Sequence, residues 1–90
     1  MLGENMKSRD RSEKVVRKRD KALRKAIEQL FRDRKVVRFT ELQGFLIKEG
    51  LSFQYSEKLI MGLVHYGALR RVDRGLYEVD IERLKVFIES

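Results

Sequence analysis

The stretch that decides the fold is LIMGLVHYGALRRVDRGLYEV, residues 59–79, in which a helical hydrophobic pattern gives way to an extended one. Up to Gly67 the apolar residues recur at helical spacing, and Gly67 itself suits the left-handed position that ends a helix. Residues 68–72 and 76–79 have the composition of strands. They flank residues 73–75, which favour a three-residue hairpin loop with glycine in the left-handed region. The stretch therefore predicts a helix that leads directly into a β-hairpin.

A second helix is predicted just upstream of this stretch. Thr40 and Gln43 have the spacing of a capping box, so we expect the helix to begin at Thr40. Gly50 stands where a left-handed residue would end it, and Ser52 is well placed to cap the next helix. Two helices joined by a tight turn that contains glycine form a helix-turn-helix arrangement. The short β-branched run at residues 36–39 comes before it.

Amphipathic helices are also predicted towards both ends of the chain. The first has an apolar stripe between Leu23 and Phe31 and is expected from Lys21 onward, and Ser12 or Ser8 would cap it if it began earlier. Asp80 is placed to cap the last helix. One side of that helix carries Ile81, Leu84, Phe87 and Ile88.

Charge is concentrated in the first half of the chain. Residues 7–38 hold fourteen basic and five acidic side chains, residues 39–90 hold seven basic and eight acidic ones, and the 90-residue chain has a net charge of +7. This excess favours a polyanionic partner, nucleic acid first and an anionic membrane surface second. A solvated helix face or a disordered tail is the ordinary alternative. No apolar run approaches the roughly 20 residues that cross a bilayer.

The sequence offers no recognisable group for catalysis. Cysteine is absent and His65 is the only histidine, so neither a thiolate metal site nor a two-histidine site can be built within one chain. The six glycines are scattered and form no phosphate-binding loop. We expect a protein that is not an enzyme and that holds no cofactor, metal ion or small-molecule substrate. We expect it in the cytoplasm, on the nucleoid if the host is a prokaryote.

Nine residues mark the end of the predicted third helix, the hairpin strands and their loop: Leu63, Gly67, Ala68, Leu69, Arg70, Arg71, Gly75, Tyr77 and Val79. Together with the predicted order of elements, α-β-α-α-β-β-α, they resemble the winged helix-turn-helix family. The resemblance implies a fold that is mainly α with a small β-hairpin, the wing, and the sequence adds a basic helical extension at the N-terminus. The chain then divides into a basic extension over residues 1–20, helical or partly disordered, a winged-helix domain over 21–80 and a C-terminal helix over 81–90.

In that family the third helix lies in the major groove and the wing touches the phosphate backbone or the minor groove, which implies a set of DNA-binding residues. Gln54 is suited to adenine, Lys58 to guanine or phosphate, and Arg74 at the wing tip to phosphate or a narrow minor groove. Helical periodicity places Gln54, Lys58, Met61 and His65 on the outward face, with Tyr55 and Glu57 at its margins. The expected phosphate clamps are Lys48, Arg70 and Arg71.

The third helix is less basic than expected for a helix that binds strongly in the major groove. Lys58 is its one formal positive charge, and Glu57 stands beside it. We therefore expect the first helix and the wing to supply much of the electrostatic attraction. Gly62, inside this helix, has two explanations: close packing against the first helix, or close approach of the backbone to DNA. An alanine there would favour the helix by about 1 kcal/mol.

Neither end helix has an evident partner within the predicted core. A first helix over residues 9–34 would be about 39 Å long, more than a three-helix core covers. The last helix follows Val79, where that core is expected to close. A second copy would bury both helices and set two recognition helices about 34–36 Å apart, so we expect a homodimer with 81–90 as a contact. The alternative is that the last helix folds back on the first and the basic N-terminus is a disordered arm.

These expectations lead to one main functional hypothesis and two alternatives. The main hypothesis is a dimeric transcriptional regulator that binds double-stranded DNA. The first alternative is a winged-helix module that docks another protein and has non-specific affinity for nucleic acid. The second is a basic amphipathic helix on an anionic membrane surface, which is less favoured because no Trp or Phe anchor precedes Phe31.

Overall fold

The structure is a computed structural model that describes residues 17–89. This part of the chain is mainly helical and contains a small antiparallel sheet. The first helix, α1, covers residues 17–30 and ends in the π-helical turn Ala26–Leu30. The elements that follow are β1 (Val36–Arg38), α2 (Phe39–Lys48), α3 (Phe53–Tyr66), β2 (Leu69–Asp73), β3 (Leu76–Val79) and α4 (Ile81–Glu89). The predicted extension over residues 1–20 lies outside the described residues up to residue 16, and residues 17–20 belong to α1.

The sheet has three strands in the order β1-β3-β2, so the predicted hairpin is joined by β1 on its other edge. Val37 pairs with Tyr77, which places both buried side chains on the core face of the sheet. The predicted three-residue loop is one residue too long, because Asp73 pairs with Leu76 after an irregularity in β2. Only residues 74 and 75 form the turn. Gly75 takes a positive φ of 67° there, as the sequence predicted.

The core is a single cluster to which every helix and strand contributes. Helical periodicity correctly placed its members in α1, α2 and α3, since the apolar stripes of these helices face one another and the sheet. Leu42 and Leu46 from α2 and Ile60 from α3 are almost fully buried. Further side chains that are almost inaccessible include Leu23, Val37, Ser56, Leu63 and Leu84.

The last helix, α4, packs against its own chain. Leu84 and Ile88 are 1% and 5% exposed and belong to the core cluster. The Phe87 ring meets the Tyr66 ring edge-on at 5.2 Å between centroids, and the Arg19 guanidinium carbon lies 4.9 Å from the Phe87 centroid. The expectation that the core closes at Val79 is therefore wrong. Because its own chain buries the apolar stripe of α4, that stripe does not require a second copy to cover it. The homodimer stays a prediction.

The start of α2 also differs from the prediction. The helix begins at Phe39 with Arg38 in the N-cap position, so the capping box of Thr40 and Gln43 is wrong. Glu41 satisfies the helix terminus instead: its Oε1 accepts a hydrogen bond from the Arg38 backbone N–H at 3.4 Å, and its Oε2 accepts one from Arg34. A charged carboxylate accepts more strongly than a neutral amide, and its position near the N-terminus is favoured by the helix dipole.

The caps of α3 and α4 and the glycines after α2 and α3 follow the sequence signals, whereas α1 ends at Leu30 and does not reach residue 34. The Ser52 hydroxyl accepts a hydrogen bond from the Tyr55 N–H at 3.1 Å, and the Asp80 carboxylate accepts one from the Arg83 N–H at 3.1 Å. Gly50 and Gly67 adopt φ values of 106° and 98° after α2 and α3. These local signals fix the angle at which α3 leaves α2 and enters the hairpin. Within residues 17–89, no helix combines the length and the apolar character needed to span a membrane.

Candidate nucleic-acid interface

The side of α3 that faces away from the core is exposed along the whole helix. Leu59, Ile60 and Leu63 hold the opposite side in the core. The predicted groove-facing residues all lie on the exposed side, where Met61 is 39% exposed. We call this surface the outer face of α3; it comprises Phe53, Gln54, Glu57, Lys58, Met61 and His65.

Tyr55 lies at the margin of this surface and is half-buried against the core. It lines a cleft of about 290 Å³ between α1 and the turn that joins α2 to α3. Lys18 of α1 forms the other wall of that cleft. Tyr55 therefore packs beside the turn, and Lys18 brings a cation of α1 to the same cleft.

Phe53 was missed by the sequence reasoning. Its side chain is 62% exposed, the largest value among the exposed large hydrophobic residues of the described chain. Its carbonyl accepts hydrogen bonds from Ser56 Oγ at 2.7 Å and from Gln43 Nε2 at 3.4 Å, and both donor residues are buried. The available signal was its position, one residue after the cap Ser52 and off the buried stripe of α3.

The β2–β3 hairpin presents three exposed arginines, which differ in how they are held. Arg70 pairs with Glu78 on the neighbouring strand, with Nη2 and Oε1 2.6 Å apart, so its charge is compensated locally. The Arg71 side chain donates to the Asp73 carbonyl at 3.4 Å. At the tip, the Arg74 backbone N–H donates to the Asp73 carboxylate at 2.7 Å, and within residues 17–89 its guanidinium has no ion pair. Arg71 and Arg74 are thus better placed than Arg70 to meet an anion.

The corner between α1 and the end of α2 carries further cations. Lys48 is exposed in the last turn of α2. Lys25 of α1 is instead engaged with Glu49, with Nζ and Oε1 3.3 Å apart. Lys48 has no ion pair within residues 17–89, and its role as a phosphate clamp stays a prediction.

Gly62 lies on α3 beside the outer face. An added Cβ would meet no heavy atom of a neighbouring segment within 4 Å in the described chain. The explanation that Gly62 permits close packing against α1 is therefore wrong. Close approach of DNA remains as a hypothesis for this position.

No site for a metal ion was found in the described part of the chain, where no three histidine or carboxylate residues come together. No family model matches this protein, and no curated protein and no solved structure matches it either.

Proposed function

We propose that this protein binds double-stranded DNA as a winged helix-turn-helix domain, with α3 in the major groove and the β2–β3 turn on the phosphate backbone or in the minor groove. The element order and the three-stranded sheet agree with such a domain. The observation that carries the proposal is the exposure of the outer face of α3 together with that of the turn at residues 74–75. A recognition helix and a wing need these two surfaces to be open.

Each exposed cation has a role in this proposal. Lys58 on the outer face contacts phosphate or guanine, and Arg74 at the hairpin tip contacts phosphate or the narrow groove. Lys48 and Arg71 hold the backbone on either side. Arg70 contributes less than the sequence suggested, because binding phosphate would compete with its ion pair to Glu78.

A DNA-binding domain of this kind fits a regulator of transcription. In a prokaryotic host such a protein would act in the cytoplasm, on the nucleoid. Homodimerisation would let two copies read successive major grooves. The described residues offer no apolar stripe on α4 for that contact, so the dimer would have to use another surface.

The proposal is tested with labelled random-sequence duplexes and fluorescence anisotropy. The double variant Lys58→Ala with Arg74→Ala should bind several-fold more weakly than the unchanged protein, because two phosphate contacts are lost. The control removes the same charge elsewhere, through Arg32→Ala with Lys85→Ala, both of which are exposed outside the outer face and the hairpin. The log–log dependence of affinity on salt should have a slope near −5 if about six phosphates are contacted. Equal weakening by both double variants would reject the assigned surface, and a flat slope would reject the electrostatic basis of binding.

A protein-docking module is the second candidate, favoured by the apolar character of the outer face of α3. Phe53 and Met61 are exposed there, and Lys58 is balanced by Glu57. Large exposed apolar side chains on one surface are typical of protein interfaces. Under this alternative, the Lys58 and Arg74 substitutions leave DNA binding unchanged.

A further inference from the structure

The first turn of α3 presents an apolar and an amide side chain next to each other on the outer face. Phe53 is 62% exposed and Gln54 is exposed beside it. In helix-turn-helix proteins, the N-terminal residues of the recognition helix contact base edges. If α3 is the recognition helix, these two side chains are therefore the first to meet the bases.

The position of Phe53 is fixed by buried polar groups. Ser56 and Gln43 are 0% and 7% exposed, and both donate a side-chain hydrogen bond to the Phe53 carbonyl. Ser52 caps the same turn through the Tyr55 N–H. The backbone that carries this exposed ring is therefore held in a defined place, which favours a defined contact surface.

The chemistry of this pair matches an A·T base pair in the major groove. Adenine offers N7 and N6 to a bidentate glutamine, and thymine offers its C5-methyl group to an apolar side chain such as phenylalanine. Guanine is most often read by arginine or lysine; α3 contains no arginine, and its one lysine, Lys58, lies a turn beyond this pair. We propose that α3 selects A·T pairs, with Gln54 on adenine and Phe53 against the thymine methyl group. This inference rests on the proposed DNA binding.

The other residues of the outer face lie further along α3 than this pair. Met61, 39% exposed, lies two turns beyond Phe53. Glu57 lies between them, and its carboxylate accepts hydrogen bonds from the amino group of adenine or of cytosine, so the selection of A·T pairs is assigned to Phe53 and Gln54 alone. Lys58 lies one turn after Gln54 on the same face and is assigned to phosphate.

The thymine methyl group can be removed without changing base pairing, which gives a direct test. Binding is measured to three duplexes of equal length with alternating dA–dT, dA–dU or dG–dC sequence. The unchanged protein should prefer dA–dT over dA–dU about fourfold, the factor expected for burying one methyl-sized group. It should prefer dA–dT over dG–dC at least about fivefold, as expected for one bidentate contact.

Variants assign each preference to a side chain. Phe53→Ala should abolish the difference between dA–dT and dA–dU, and Gln54→Ala should reduce the difference between dA–dT and dG–dC. The matched control is Val86→Ala, which removes an apolar side chain that is 54% exposed on α4 and should keep both preferences. Because Phe53 and Gln54 are exposed, circular dichroism should show these variants to be folded.

The outcomes separate this inference from the proposed function. Binding of all three duplexes with equal affinity would overturn the A·T selection and leave DNA binding standing. A preference for dA–dT over dA–dU that survives Phe53→Ala would overturn the thymine contact. Failure to bind any duplex would overturn both proposals.

Discussion

Glu41 is the residue that joins the end of α1 to the start of α2. Arg34 donates one hydrogen bond to this carboxylate and another to the Leu30 carbonyl, while the Arg38 backbone N–H donates to Glu41. The Arg34 side chain, aided by the Arg38 N–H, lowers the pKa of Glu41. A carboxylate whose pKa is lower in the folded state stabilises the fold above its unfolded pKa of about 4.3. That contribution is lost as the pH falls through the folded pKa.

Glu41→Gln should therefore lower the free energy of unfolding at neutral pH and have a smaller effect in acid. The expected loss at pH 7 is about 0.2–1 kcal/mol, since the pair is largely exposed. Urea unfolding of both proteins between pH 7 and pH 3 measures the difference, with Glu28→Gln on α1 as a control outside this network. A difference that grows towards acid pH would show that the carboxylate does not stabilise α2.

Replacing Gly62 by alanine is expected to change stability and DNA binding in opposite directions. An added Cβ at Gly62 or at Gly44 in α2 meets no neighbouring segment within 4 Å in the described chain. Alanine at either position should raise the free energy of unfolding by about 0.5–1 kcal/mol, because it restricts the unfolded chain and favours the helix. Thermal unfolding checks this.

The same two variants test the hypothesis that DNA approaches α3 at Gly62. Gly62→Ala should then weaken duplex binding, while Gly44→Ala should leave it unchanged. Unchanged binding by Gly62→Ala would leave this glycine without a functional explanation. Lower stability of Gly62→Ala would contradict the open space around the residue.

At the scale of the element, α4 is the helix that packs on the core of its own chain where the sequence predicted a contact with a second copy. Its apolar stripe is buried by its own chain, and Leu84 is 1% exposed. Leu84→Ala should lower the free energy of unfolding by about 2–5 kcal/mol because it opens a cavity in the core. Val86→Ala, on the exposed side of the same helix, should change it by no more than about 0.5 kcal/mol. Denaturant unfolding distinguishes them, and similar small effects of both would show that α4 is not part of the core.

Elements set by local chemistry were the ones that the sequence predicted well. The Ser52 and Asp80 caps and the positive φ of Gly67 depend on a few neighbouring residues. Non-local features were missed. Periodicity showed that α4 has an apolar side but not which surface covers it, and a three-residue run at β1 does not reveal that it pairs with β3 across the sheet.

The candidate site likewise has some features that follow from local sequence and others that depend on non-local contacts. Exposure of Gln54 and Lys58 follows from helical period alone, and the structure agrees. The pairing of Arg70 with Glu78 depends on the strand register, which a one-residue change in the loop would alter. Phe53 was missed because an apolar residue next to a cap is ordinarily assigned to the core, whereas this one points outward.

At the scale of the whole molecule, two open surfaces follow one another directly along the chain. The outer face of α3 ends near Tyr66, Gly67 closes the helix, and β2 begins at Leu69. The core behind them is continuous, so α3 and the hairpin are held by the same packed side chains. This continuity would let one duplex contact both surfaces at once, while the net charge of +7 draws the duplex towards the protein.

The most direct test of DNA binding by these two surfaces is an NMR titration of the isotope-labelled protein with duplex DNA. The account predicts that the largest amide shifts occur at Gln54, Lys58 and Arg74, on α3 and the hairpin turn, while the amides of Lys85 and Val86 on α4 change little. Shifts confined to α4 and α1, or no shifts at a salt concentration that permits binding, would contradict it.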